Sequence, residues 1–250
     1  MIFDIKLSEN FRQKARFVAG GHTTDTPSTL TYSSVVAQDS VCIALIIAAL
    51  NDLDLQACDI QNAYLTTKCQ EKIWCVAGKE FGEEEGSILI VEQALYGLKA
   101  SGAAFRAIPS ETITDAGFRA CKGDPDVYIW PATKADGFEY YEMILCYVDD
   151  IMCVSHRAKE TLREVVEAQF KLKGDSVEPP EMYLGAQLSR QTVTGQECWT
   201  LTSNKYVTRC DTPIANKYRP ELDESPELDP SDATLYQEPV GELRWVVELG

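Results

Sequence analysis

Between Tyr140 and Ser155 the chain reads YYEMILCYVDDIMCVS, two arms of apolar, β-branched and aromatic residues with Val-Asp-Asp between them. Arms of this composition read as strands, and the short break between them reads as the turn of a β-hairpin. Neither arm alternates apolar with polar residues, so both are expected at the centre of a sheet covered on at least one face. The turn then carries two adjacent carboxylates, Asp149 and Asp150. Adjacent like charges raise each other's pKa unless a cation is shared, which points to a divalent metal. Asp is also a common turn former, and spacing alone leaves both readings open. Magnesium takes oxygen ligands, keeps waters, and completes its shell with one or two carboxylates plus substrate phosphates. A third acid, Asp59, ends another apolar stretch, LQACD, from which a second strand would bring it to the same sheet edge. Two magnesium ions about 3.5 to 4 Å apart would then bind an attacking hydroxyl and a leaving pyrophosphate.

The rest of the chain supplies elements around this hairpin. Asp39 and Ser40 read as caps of the helix VCIALIIAALND, which is apolar on almost every face and so is expected in a core. LQACDIQNAYL reads as a strand running into a turn or helix start, and SILIVEQALYG as a second strand after the acidic loop 82–86. Residues 101–116 read as a helix that Pro109 is expected to kink. Tyr128 to Trp130 reads as a short strand. Ser155 reads as the cap of a helix ending near Gly174, with Leu162, Val165, Val166 and Phe170 on one side. A further hairpin is expected from Met182–Leu188 and Cys198–Thr202 around Thr194-Gly195. Beyond Cys210 the chain is rich in Pro and acid and reads as an extended connection. Its last stretch, YQEPVGELRWVVELG, starts another apolar helix and stops inside it, as a chain cut from something longer would.

Lys and Arg number 23 against 39 Asp and Glu, a net charge of −16. Taken alone, that argues against a nucleic-acid binder, which usually carries a basic footprint. Residues 175–250 hold 6 basic and 14 acidic groups, half of the excess, so the acidity is not concentrated at the Asp-Asp hairpin. The longest apolar run, Val41 to Leu50, holds ten residues, and no secretory or transit signal is seen at the N-terminus. Nine cysteines form no C-x-x-C pair and, with two histidines, no zinc spacing. They are expected to be unpaired thiols in a reducing intracellular setting. His22 and His156 read as surface or loop residues.

YVDD, inside ILCYVDDIMCVS, resembles the active-site hairpin of reverse transcriptases. KARFVAGG, CDIQNAYL, ALYGLKASGAAF and DPDVYIW precede it in the order of the motifs of the copia-type retrotransposon reverse transcriptase, and YLGAQLS and YQEPVGELRW extend the resemblance over nearly the whole chain. The resemblance implies an α+β, right-hand polymerase fold, with a palm of antiparallel sheet backed by helices, partial fingers and a partial thumb or connection. Residues 1–175 would be partial fingers and palm, and 176–210 a thumb-like palm-end hairpin and helix. Residues 211–250 would be an acidic connector toward a ribonuclease H region. The implied activity is RNA-directed DNA polymerase, with two Mg2+ ions, for which Mn2+ could substitute. RNA template, DNA primer and deoxynucleotide would be its partners, ribonuclease H and integrase portions would belong to the full polyprotein, and the location would be a cytoplasmic virus-like particle. No membrane partner and no particular oligomeric state is implied.

Carried over residue by residue, Asp59 and Asp149 would be direct metal ligands, with the Ile60 backbone beside them and Asp150 the supporting carboxylate. Ile60, Gln61, Asn62 and Ala63 would lie beneath the triphosphate, and Tyr64 would be the aromatic gate that blocks a ribose 2′-hydroxyl. Lys14 and Arg16 would neutralise the triphosphate. Tyr147 and Val148 would face the primer end, and Gly97, Leu98 and Lys99 would lie near template and nucleotide. The chain also departs from the family. After YGLK the family commonly has Gln, a small residue, Pro, Arg, Ala and Trp; here Ala100, Ser101, Gly102, Ala103, Ala104 and Phe105 stand instead. A polar contact, a cation and a large stacking surface are therefore missing or moved, which motivates an alternative: a truncated, catalytically silent relic that keeps the fold.

Overall fold

The computed structural model describes residues 2–6 and 12–203 and, beyond them, 229–231, 233–234, 236–237, 240–241 and 244. In chain order the first elements are β1 (Ile2–Lys6), β2 (Arg12–Arg16), α1 (Gln38–Leu50), β3 (Asp54–Asp59), β4 (Trp74–Val76), β5 (Ile88–Ile90) and α2 (Ser101–Asp115). Then follow β6 (Arg119–Ala120), β7 (Val127–Thr133), β8 (Glu139–Tyr147), β9 (Asp150–Ser155) and α3 (Ala158–Leu162), which continues as a π-helical turn, Arg163–Glu167. Residues Met1–Pro179 form one compact unit and Pro180–Gly250 another.

The two apolar arms are β8 and β9, and they occupy the middle of a five-stranded antiparallel sheet of order β3-β9-β8-β7-β6. Successive strand residues face opposite sides. Ile144, Cys146, Ile151 and Cys153 join a core cluster with Phe105 and Ile113 of α2 and Leu162 of α3. The intervening Leu145, Met152 and Val154 are just as fully buried, and α1 packs against β9 without joining that cluster. Both faces are thus covered, which is why neither arm needs polar alternation. Because β6 is two residues long and pairs only with Tyr128 and Ile129, β7 beyond that point is an edge strand, where Pro131 is tolerated. β1 and β2 form a separate antiparallel pair, as do β4 and β5.

Several expectations need correction. Asp39 and Ser40 do not cap α1 but lie inside it. The capping acceptor is Asp124, whose Oδ2 takes bonds from Ala37 N at 2.9 Å and Ser40 Oγ at 2.6 Å. Nor is α1 a core helix all round: Val41, Ala44, Leu45 and Ala48 are buried, whereas Ile43, Ile46 and Leu50 are more than half exposed. α2 covers Ser101–Asp115 as expected, with Pro109 buried inside it. Ser155 closes β9 rather than capping a helix, although its Oγ accepts from Arg157 N at 3.1 Å. The helical segment ends by Glu167, well short of Gly174, but Leu162, Val165, Val166 and Phe170 are buried as their spacing implies.

In the second unit β10 (Met182–Tyr183), β11 (Ala186–Val193) and β12 (Gln196–Thr202) form an antiparallel sheet. Thr194 and Gly195 join β11 to β12 with positive φ at both positions, the signature of a type I′ hairpin turn. The connector expected over 211–250, and Cys210, lie largely or wholly outside the described residues. The eight described cysteines are all free thiols. Helices and antiparallel sheets make the architecture α+β. Among the described residues no helix is long and apolar enough to cross a membrane.

Candidate active site

Asp59 ends β3 and Asp150 opens β9, and the two are register partners across the β3–β9 ladder. Directly opposite residues of an antiparallel pair face the same side, so their carboxylates emerge together at one sheet edge. Asp149 lies next to them in the two-residue turn Val148–Asp149 that joins β8 to β9; Asp150 itself is already on the strand. Val148 has φ of 54°, a conformation costly for a β-branched residue and found where surrounding structure enforces it. Ile60 N donates to Asp149 O at 2.9 Å, tying the end of β3 to the turn.

Two of the acids act on the third. Burial first, then the charges of Asp149 and Asp59, push the Asp150 carboxyl up from 3.8 to about 6, against the opposing pull of Lys173. Lys173 donates from Nζ to Asp59 Oδ2 at 2.6 Å. Sequence reasoning missed it, as it missed Phe17 and Tyr96 of the neighbouring cavity wall. The lysine is 114 residues from Asp59 and sits in a one-turn 3₁₀ helix, with a local sequence, KLKG, indistinguishable from solvated surface. The hydroxyls of Tyr64 and Tyr96 are also held above the ordinary tyrosine range, by burial first and by Asp149 second. Beneath the acids, burial and the charges of Asp59 and Asp150 push the Cys58 thiol to about 12.

Beside the carboxylates is a cavity of about 570 Å3, within the range of pockets that take small organic ligands. Asp59, Ile60, Gln61, Asn62 and Asp149 line one side, and Arg16, Phe17, Tyr96 and Lys173 the others. Two glycines hold this wall in place. A Cβ on Gly97, at φ of 92°, would come 2.1 Å from Ala19 O, and one on Gly21 would come 1.9 Å from Gly97 O. Only glycines let these backbones cross so closely, and Ala19 N donates to Tyr96 O at 2.8 Å at the crossing.

The structure therefore brings together Arg16, Asp59, Ile60, Gln61, Asn62 and Asp149, with Asp150 at the same sheet edge. Others are placed differently. Lys14 is on β2 in register with Asp4, its side chain outside the described set. Ala63 is buried and does not line the cavity. Tyr64 does not line the cavity; its ring is held behind the wall against Tyr96, at 4.7 Å between centroids, and Phe105, at 5.9 Å. Leu98 is buried, and Lys99 donates to Thr24 O at 2.7 Å. Tyr147 is half-buried opposite Asp150, and Val148 packs on the core. Of the family departures, Phe105 fills the core, and a cation does stand one helical turn beyond Ala103: Arg106, bound to Asp126.

Three carboxylates at one edge, crowded enough to raise one of them and already drawing an ammonium group, suit a divalent cation in kind. Among the described residues, however, no three His, Cys, Asp or Glu side chains converge closely enough to hold an ion as they stand.

The model of the family described as reverse transcriptase (RNA-dependent DNA polymerase) matches residues 2–214. The chain is also similar to the retrovirus-related Pol polyprotein from transposon TNT 1-94 of Nicotiana tabacum, 26% identical over 182 residues, which is 71% of this chain and 13% of that protein. It thus spans about an eighth of that relative's length. With the match covering most of its length, the chain belongs to the reverse transcriptase (RNA-dependent DNA polymerase) family.

Proposed function

We propose that this chain is the RNA-directed DNA polymerase domain of a copia-type retrotransposon polyprotein, with residues 1–175 acting as palm and partial fingers of a right-hand polymerase. The observation that carries the reading is the register pairing of Asp59 with Asp150, with Asp149 in the adjoining turn, beside a cavity that also contains Arg16. Asp59 and Asp149 would hold Mg2+, with Asp150 supporting them through its charge. Magnesium, when bound, supplies Lewis-acid stabilisation of an attacking primer 3′-hydroxyl and a leaving pyrophosphate.

The protein's own groups do the rest. Arg16 offers a fixed positive charge to a deoxynucleotide triphosphate in the cavity, and the Ile60–Asn62 segment forms the floor beneath it. Lys173, paired with Asp59, must loosen its bond for Asp59 to turn to a metal. RNA template and DNA primer are the expected partners, within a particle in the cytoplasm. The net charge of −16 makes binding by this chain alone weak and salt-sensitive.

Primer extension on an RNA template with Mg2+ tests the reading, on this chain and on the longer polyprotein. Extension that is lost on Asp149→Asn or Asp59→Asn supports it. Extension equally good with either substitution overturns the site assignment, and a folded chain without extension in either form favours the silent relic.

A further inference from the structure

Behind the carboxylate turn, three elements meet at two acids of the loop between β6 and β7. Asp124 takes the N-terminus of α1 through Ala37 N and Ser40 Oγ. Its other oxygen accepts from Asp126 N at 3.1 Å. Asp126, 2% exposed, accepts from Arg106 Nε of α2 at 2.7 Å, and its backbone O accepts from Cys146 N of β8 at 2.9 Å. Cys146 O in turn accepts from Val36 N, just before α1, at 3.1 Å. Both backbone groups of Cys146 are thereby tied to this network, three residues before Asp149. Tyr147, which pairs with Asp150 across the hairpin, separates Cys146 from the strained Val148.

We infer that Asp126 is a positioning residue for the metal-binding turn: clamped by Arg106, it fixes the end of β8 so that the Val148–Asp149 turn presents its carboxylates toward Asp59. The inference rests on the metal-site reading above. Three observations carry it. The clamp acts on Cys146, two residues before Val148, whose conformation needs outside support. Asp126 is charged and buried, yet its Oδ2 has no partner among the described residues. It borders a cavity with room for about one water, also lined by Arg106, Cys146 and Val148. A buried carboxylate with one satisfied oxygen is a poor way merely to fill space, since an apolar residue of similar volume would serve stability as well or better. And the cation that holds it comes from α2, the helix whose side chains cover the same face of the sheet as Cys146.

The test measures Tb3+ bound to the folded chain by tyrosine-sensitised luminescence, alongside urea unfolding and primer extension. Asp126→Ala is expected to weaken terbium binding roughly tenfold, the low end of what outer supports of metal ligands contribute. The same variant lowers kcat, with KM for the deoxynucleotide held within about a factor of two. Asp126→Asn, which keeps the acceptor toward Arg106 and is the gentler change for folding, and Arg106→Lys should fall between. Leu45→Ala, a core truncation in α1 with no part in the network, should lose stability and keep terbium affinity. Terbium affinity unchanged in Asp126→Ala or Asp126→Asn, or reduced no more than in Leu45→Ala at matched stability, overturns the inference. If Asp59→Asn and Asp149→Asn abolish terbium binding while the Asp126 variants do not, this inference alone fails. If Asp59→Asn and Asp149→Asn leave it intact, the metal-site reading fails with it.

Discussion

Asp150→Asn should make the metal-free protein more stable while damaging the proposed chemistry. Burial and two neighbouring carboxylates raise the Asp150 carboxyl from 3.8 to about 6. A group with a raised folded-state pKa binds its proton more tightly in the folded chain, so the stability that this proton confers is full below 3.8 and is lost as pH rises through about 6. At pH 8 the ionised Asp150 therefore costs the fold about 3 kcal/mol by the size of the rise, reduced to about 2 kcal/mol because the side chain is partly exposed. Asparagine removes the charge and keeps the shape. With an urea slope of about 2 kcal/mol per molar, the unfolding midpoint in EDTA at pH 8 should move up by about 1 M. The gain should shrink as pH falls through 6, and it should shrink again with millimolar Mg2+, which stabilises the wild type through its acids. An unchanged or lower midpoint at pH 8 without metal would refute the claim that these carboxylates crowd one another.

Lys173→Met removes both the partner of Asp59 and a charge that holds Asp150 down. The midpoint of the pH-dependent stability should move upward, metal-free stability should fall by about 1 kcal/mol, and terbium should bind several-fold more tightly once the ammonium no longer competes. Gly97→Ala places a Cβ against Ala19 O at a positive φ, and is expected to cost about 3 kcal/mol in urea unfolding. Thiol labelling of the native chain should spare Cys58, Cys146 and Cys153, which burial holds as unreactive thiols, and should reach them only after unfolding.

What could be read from the sequence was whatever has a local physical signature. The doubly covered strands β8 and β9 betray themselves by apolar residues at consecutive positions, and Thr194-Gly195 by the turn chemistry that positive φ demands. The placement of Asp59 was legible because an acid at the end of an apolar strand stands at a sheet edge, where its register then sets it opposite Asp150. Contacts set by distant chain segments left no such trace. Nothing near Asp39 or Ser40 tells that Asp124 supplies the cap of α1, and nothing in KLKG tells that Lys173 reaches Asp59. The exposed Ile43, Ile46 and Leu50 defeat the rule that a helix apolar all round is a core helix. Tyr64 was placed at the cavity by motif position, yet Tyr96 lines it, and the close backbone crossing at Gly21 and Gly97 beside Tyr96 leaves no local trace that ranks one ring over the other.

The β3–β9 register also bears on how the molecule is made. β7, β8 and β9 follow one another along the chain and can zip together early, whereas β3 comes from far upstream and closes a long loop to reach β9. Docking of β3 is therefore expected to come late, and it is the step that brings Asp59 to Asp149 and Asp150. In that order the like-charge penalty would fall on the last barrier rather than on the nucleus. Salt or magnesium, by screening it, should speed the slow phase of refolding while leaving the earlier formation of the β7–β8–β9 meander untouched.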